Sequence, residues 1–230
     1  WKSLTVTVNG GYLKEGDVIT IVFGDTSGGS PGMRVQTMAD GGFEFKVLAD
    51  VCAVGQFVPI PDTPTVSIVP GPPVVWKAVL PSLRRPGEHF RFGLKAEDKW
   101  GNPTDRAIGS FIFQTNIAVD GLPGAFEYPL GKKAIVFDDL SVAEPGVLRI
   151  QVRDTTSAIV AESHPLVIRE GSFAGYWGDM HGQSGESIGI TTSRQYFDFA
   201  RNKAFLDATG HQANDFQINN AFWNYLNELS

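Results

Sequence analysis

Cysteine, histidine and positive charge are all scarce in this sequence, and each scarcity excludes something. One cysteine, Cys52, occurs in 230 residues, so no intrachain disulfide can staple the fold. Lysine and arginine number 19 against 25 acidic residues, a net charge of −6. A chain of that sign offers no basic face to phosphate backbones, which argues against nucleic acid as a partner. No apolar run approaches the ~20 residues that cross a bilayer as a helix, so no membrane span is expected. Only four histidines are available for imidazole chemistry.

What is present is globular: 42 % hydrophobic residues, 26 glycines and 14 prolines. Leu4, Val6 and Val8 alternate with polar residues, the period-2 signature of a half-buried strand. Further strand patterns fall at 18–23, 33–37 and 43–48, with Asp40-Gly41-Gly42 as a turn signal before the last. Residues 59–73 hold six prolines, which cannot donate to a ladder, so a domain boundary is expected there. That gives a β-sandwich-like module over residues 1–70. Beyond it, strand patterns at 74–80, 89–96, 110–114, 133–137, 147–152 and 159–168 alternate with Pro/Gly/Asn turns. Many short strands with regular punctuation predict an immunoglobulin-like antiparallel β-sandwich over residues 71–170. Trp76 and Trp100 are single tryptophans in β patterns, read as core residues ahead of a carbohydrate platform.

The character changes after residue 170. Thr192-Ser193-Arg194-Gln195 has the form of a capping box and opens a helical pattern. Asp215 is placed to cap a last helix with the apolar stripe Ile218, Phe222, Tyr225, Leu226 and Leu229. Strand, loop, helix, short segment and helix read as the opening of an α/β domain over residues 171–230. Its first loop is Asp179-Met180-His181-Gly182-Gln183-Ser184-Gly185-Glu186-Ser187-Ile188-Gly189. A glycine-rich, histidine-bearing loop beyond a strand is where α/β proteins place ligands. His181 and His211 both follow apparent strands, and imidazole with amide or carboxylate oxygen is a reasonable donor set for a divalent metal.

That loop resembles the first motif of the PHP superfamily (polymerase and histidinol phosphatase domains), Asp-Leu-His-x-His-Ser-x-x-Ser-Asp-Gly. The opening Tyr176-Trp177-Gly178-Asp179-x-His181 after β modules is similar to an uncharacterised branch of it. The resemblance implies the truncated start of a distorted α/β (TIM-like) barrel and metal-dependent, phosphoesterase-like hydrolysis by activated water. It implies His181, Gln183 and His211 as ligands to Zn, Mn or Fe, with Asp179, Ser184 and Glu186 behind them or facing a small-molecule substrate. The remaining ligands would come from the rest of the protein beyond Ser230, so this stretch alone is expected to be inactive.

Gln183 stands where the motif has histidine, and Gly210 where the second motif has an acid. The alternative reading is therefore a non-catalytic binding or scaffolding protein, with β-sandwich recognition modules and a degenerate barrel. A third idea, Ser184 as a nucleophile, rests on a near miss to Gly-x-Ser-x-Gly.

Overall fold

The computed structural model describes residues 3–212 and 218–229. Two compact units divide the chain, Trp1–Gln36 and Thr37–Ser230. In the first, turns are closed by side chains: Asp17 accepts from the Lys14 N–H at 2.7 Å and Asp25 from the Ser27 N–H at 2.8 Å. No strand forms among the described residues before Asp40, which corrects the strands expected at 4–8, 18–23 and 33–37. Period-2 alternation makes a segment fit for a ladder, but a ladder needs a second strand in register. Here Leu4, Val6, Val8, Val18 and Ile21 stay exposed.

The second unit opens with nested antiparallel pairs. β1 (Asp40–Glu44) pairs with β4 (Thr65–Ile68), enclosing β2 (Leu48–Ala49) and β3 (Val58–Pro59). Asp40-Gly41-Gly42 is not the expected turn; it lies inside β1, where the register shifts between Asp40 and Phe43. Glycine in a strand marks a bulge as readily as a turn.

A polar clasp holds the two ends of this hairpin. Asn102 donates to the Thr37 carbonyl at 2.8 Å and accepts from the Ala39 N–H at 2.9 Å, while Asp98 accepts from the Gly71 N–H at 2.8 Å. Burial pushes the Asp98 carboxyl up, but hydrogen bonds from Asn102, Gly71 and Trp100 outweigh it and hold the group at about 2.

The sandwich follows. Its strands are β5 (Val75–Val79), β6 (Leu83–Arg84), β7 (Phe90–Glu97), β8 (Gly109–Thr115), β9 (Ala125–Tyr128), β10 (Ile135–Leu140), β11 (Gly146–Leu148), β12 (Ile150–Asp154), β13 (Ile159–Glu162) and β14 (Leu166–Ile168). One sheet has the order β10-β7-β5, a second β13-β12-β8-β9, and a short third β11-β14-β6. All neighbours are antiparallel except β6 and β14. Inward residues alternate as the pleat requires: Phe90, Phe92, Leu94 and Ala96 of β7 face Phe111 and Phe113 of β8 and Ile150 and Val152 of β12 in one apolar core. The rings of Phe92, Phe113, Phe126 and Phe137 meet edge-on or stacked, with centroids 5.0 to 6.5 Å apart. Trp76 sits edge-on to Phe111 and Tyr128, a core residue as expected. Trp100 is partly exposed beneath Lys99.

A single βαβ unit and one helix complete the unit. β15 (Gly178–Gly182) runs parallel to β16 (Ala208–His211), with α1 (Ser193–Asn202) between them in sequence and α2 (Asn220–Leu229) after. The capping box is formed in full, Thr192 accepting from the Gln195 N–H and Gln195 reaching back to the Thr192 N–H. Asn219 accepts from the Phe222 N–H at 2.9 Å at the start of α2; Asp215 lies outside the described residues. The mostly-β, sandwich-dominated class expected from the sequence is what forms. The truncated barrel is corrected: beyond the sandwich, one parallel pair and two short helices are what the described residues contain. None of their helices is long and apolar enough to cross a membrane.

Candidate functional site

Two places draw polar and aromatic side chains together: a buried cluster in the βαβ unit, and the seam where that unit lies on the sandwich. The cluster forms because β16 brings His211 back beside Gly182, its register partner on β15. Gly182 has a packing role here. A Cβ on it would lie 1.9 Å from the Tyr196 hydroxyl, which bonds Thr209 Oγ1 at 2.6 Å and the Gly210 carbonyl at 3.1 Å. Tyr196 of α1 therefore closes over the glycine and fixes helix to strand pair.

Behind it runs a chain of hydrogen bonds. His211 Nε2 lies 2.7 Å from Ser184 Oγ, which lies 2.9 Å from Ser193 Oγ, which donates to Glu186 at 3.2 Å. Both serines are fully buried. His211 Nδ1 is buried with no partner among the described residues. A buried N–H without an acceptor costs more than an idle lone pair, so the proton belongs on Nε2. The chain then has one direction, His211 to Ser184 to Ser193 to the Glu186 carboxylate. Burial lowers the His211 pKa and keeps the ring neutral, against the opposing pull of Glu186. Burial also raises Glu186, but hydrogen bonds, those from the Ser193 N–H and hydroxyl among them, bring it below the ordinary range.

Each candidate residue from the sequence can now be placed. Ser184 accepts a hydrogen bond from the imidazole N–H, the reverse of what nucleophile activation requires, and it is fully buried. Glu186 holds the start of α1 through the Ser193 N–H, an acid where the helix dipole favours one. Gln183 accepts from the Ser187 hydroxyl at 2.5 Å. Asp179 accepts from the His181 N–H at 2.9 Å, and His181 itself is exposed. His211 Nε2 is turned to Ser184 rather than to these residues. Among the described residues no three His, Cys, Asp or Glu side chains converge to hold a metal ion.

The seam is built from residues whose signal in the sequence is weak. Arg84 of β6, 5 % exposed in its side chain, pairs with Asp207 at 2.9 Å, donates to the Gly175 carbonyl at 2.7 Å, and lies under the Tyr176 ring at 4.7 Å. The other Asp207 oxygen accepts from the Trp177 N–H at 2.9 Å, and the Trp177 indole donates to Ser82 at 2.6 Å. On β7, Gly93 has no side chain and Phe205 lies over it; a Cβ would sit 2.6 Å from that ring. Phe205 has φ +61°, a backbone region that a bulky residue enters only under constraint. Beside it Arg91 reaches the Arg201 carbonyl at 3.2 Å and Asn202 at 3.3 Å. An open cleft of about 480 Å³ lies along this seam, walled by Val79, Leu80, Pro81, Trp177, Phe205 and Leu206.

No family model matches the chain, and no curated protein matches it. Among solved structures it is similar to the D0-D1 domain of Intimin, at 12 % identity over 56 % of this chain and 64 % of that one, with a TM-score of 0.32. It is also similar to a PKD domain of an M14-like peptidase from a Thermoplasmatales archaeon, at 17 % identity over 44 % of this chain and 100 % of that one, TM-score 0.26. A third likeness is to a CARDB domain from Pyrococcus furiosus solved with di-metal ions, at 14 % over 44 % and 92 %, TM-score 0.28. The chain thus spans somewhat under two thirds of the Intimin structure. The resemblance to the PHP superfamily is corrected: no family model supports it, and beyond the sandwich the described residues hold one βαβ unit and one helix in place of the repeated units of a barrel. The hydrolase reading drawn from it loses that support.

Proposed function

We propose that this chain is a non-catalytic binding and scaffolding protein, whose β-sandwich is a rigid platform that carries and orients residues 171–229. The observation that carries the reading is the Arg84–Asp207 pair, nearly buried at a junction 123 positions apart in sequence. Burying a guanidinium and a carboxylate is costly unless geometry and further hydrogen bonds offset it. Both groups here have those extra bonds, from Arg84 to the Gly175 carbonyl and from the Trp177 N–H to Asp207. Such a pair adds little net stability, but it fixes one orientation of the carried segment over others. The sealed Ser184 cluster supports the same reading, because it spends its polar groups on holding α1 to β15 and β16.

The test is amide hydrogen exchange on the intact chain. Amides of β15, α1 and β16 should open together with those of β7 and β6. Exchange of β15 and β16 at rates independent of the sandwich would remove the platform reading.

A further inference from the structure

The seam cleft has a chemistry of its own. Its walls are mostly apolar, and two of them are aromatic. Trp177 is 59 % exposed, yet its indole is held by the bond to Ser82, so a flat face is presented without the entropy cost of ordering it. Phe205 is held over Gly93 in its strained backbone. The polar groups in the cleft are Arg91, His164 and Asp207. Asp207 has both oxygens engaged, one by Arg84 and one by the Trp177 N–H. Arg91 uses Nε for Asp138 and Nη2 for Arg201 and Asn202, so its Nη1 group keeps its donors. His164 is exposed and lines the same cleft. What is left to meet a ligand is mostly apolar surface with the Arg91 and His164 nitrogens as its polar groups. About 480 Å³ falls within the range of small-molecule sites.

We propose that this cleft binds a small amphipathic carboxylate. Its aromatic or aliphatic body lies against Trp177, Phe205 and Leu206, and its carboxylate meets Arg91 Nη1 and the His164 ring. This rests on the binding part of the function proposed above and names its ligand class. A sugar fits less well, because it would need polar partners around its whole edge and most of the lining is apolar.

The probes are 4-phenylbutyrate, its uncharged amide, and butyrate, each titrated against the whole chain by saturation-transfer NMR. Phenylbutyrate should bind saturably, with the amide and butyrate each at least ~tenfold weaker, the value of one charge-assisted bond or of a buried ring. Arg91→Gln should abolish the preference for acid over amide. Should that variant fail to fold, His164→Gln, at an exposed position, should narrow the same preference. Equal binding of acid and amide, an unchanged preference in both variants, or no saturable binding would each overturn the assignment. Hydrogen exchange on the same samples separates the two readings. A seam that opens with the sandwich and binds no probe leaves the platform standing and ends the ligand proposal. A seam that opens independently ends the platform.

Discussion

The sandwich and the βαβ segment it carries are stabilised by different physics. In the sandwich, Phe92, Leu94, Leu148, Ile150 and Val152 are wholly withdrawn from water, and each fully buried side chain of that size contributes about 1.5–3 kcal/mol. Among the described residues of the βαβ segment and its last helix, Ala200 and Leu226 are the buried apolar residues and Ser184 and Ser193 the other buried side chains. Hydrogen bonds net about 1 kcal/mol each and are costly to leave half-made. One region can therefore stand on its own core, whereas the other depends on being clasped to it. A fold can place a segment accurately without that segment having the means to be stable by itself.

The largest effect expected to test this contrast is at Phe92. Phe92→Ala removes a ring from the centre of the aromatic cluster and should cost about 3–5 kcal/mol. Both regions should melt together, at a lower denaturant midpoint. If the βαβ segment kept its far-UV signal after the sandwich had unfolded, its dependence on the platform would be disproved.

Next comes Arg84→Ala, which leaves Asp207 without its cation and should cost about 3 kcal/mol at the seam. Here the regions should separate: amides of 175–211 lose exchange protection while those of β7 keep theirs. A double change to Arg84→Met with Asp207→Leu should recover part of the loss, since no unpaired charge remains.

The third effect is acidic and belongs to the sandwich side. Asp98 is held at about 2 against an ordinary 3.8. A depressed carboxyl contributes stability that is complete above the unfolded value and is lost as pH falls through the folded one. About 2 kcal/mol should therefore disappear between roughly pH 4 and pH 2, and Asp98→Asn should flatten that part of the curve. An unchanged slope in the variant would count against the clasp.

The smallest belongs to His211. Its pKa is lowered by burial, so the fold favours the neutral ring. Stability of the βαβ segment should be complete above the ordinary value of ~6.5 and decline below it as the unfolded chain takes up the proton. Proton NMR of the ring across that range, with Ser184→Ala as the comparison, measures it.

Much of the sandwich was legible in the sequence because alternation over five to eight residues survives as a ladder: β5, β7, β8 and β10 lie within about two residues of their expected bounds at most ends. Two expected strands split. The pattern at 147–152 breaks at Arg149 into β11 and β12, and that at 159–168 breaks at Ser163 to Pro165 into β13 and β14, each pair divided between two sheets. Ser163 accepts from the Ile150 N–H at 3.0 Å, so one hairpin crosses between sheets at a single level. Alternation runs through such a crossing unchanged, which is why periodicity does not show it. β9 was missed because Ala125-Phe126-Glu127-Tyr128 is too short to stand out.

At the candidate sites, the capping box of α1 was readable because its chemistry is local. The motif around His181 was read for metal ligands; in the fold its glycine packs Tyr196 and its serine accepts from His211, contacts that spacing along the chain does not show. Arg84, Phe205 and Asp207 carry no sequence signal, because Arg84 and Asp207 pair across 123 positions, Phe205 packs on the distant Gly93, and the left-handed backbone of Phe205 is imposed from outside.

The one parallel pairing in the sandwich has a mechanical consequence. β14, its last strand, runs beside β6, near its start, with Val167 donating to Ser82 and Arg169 to Arg84 at 3.0 and 3.1 Å. Tension applied through the two flanks of the sandwich would slide these strands lengthwise past each other. Bonds loaded in that direction share the force and rupture together, whereas an antiparallel hairpin pulled at its open end unzips one rung at a time. Because Arg84 is both a rung of that pair and the cation of the seam, the same pull that sheared β6 from β14 would also release the carried segment.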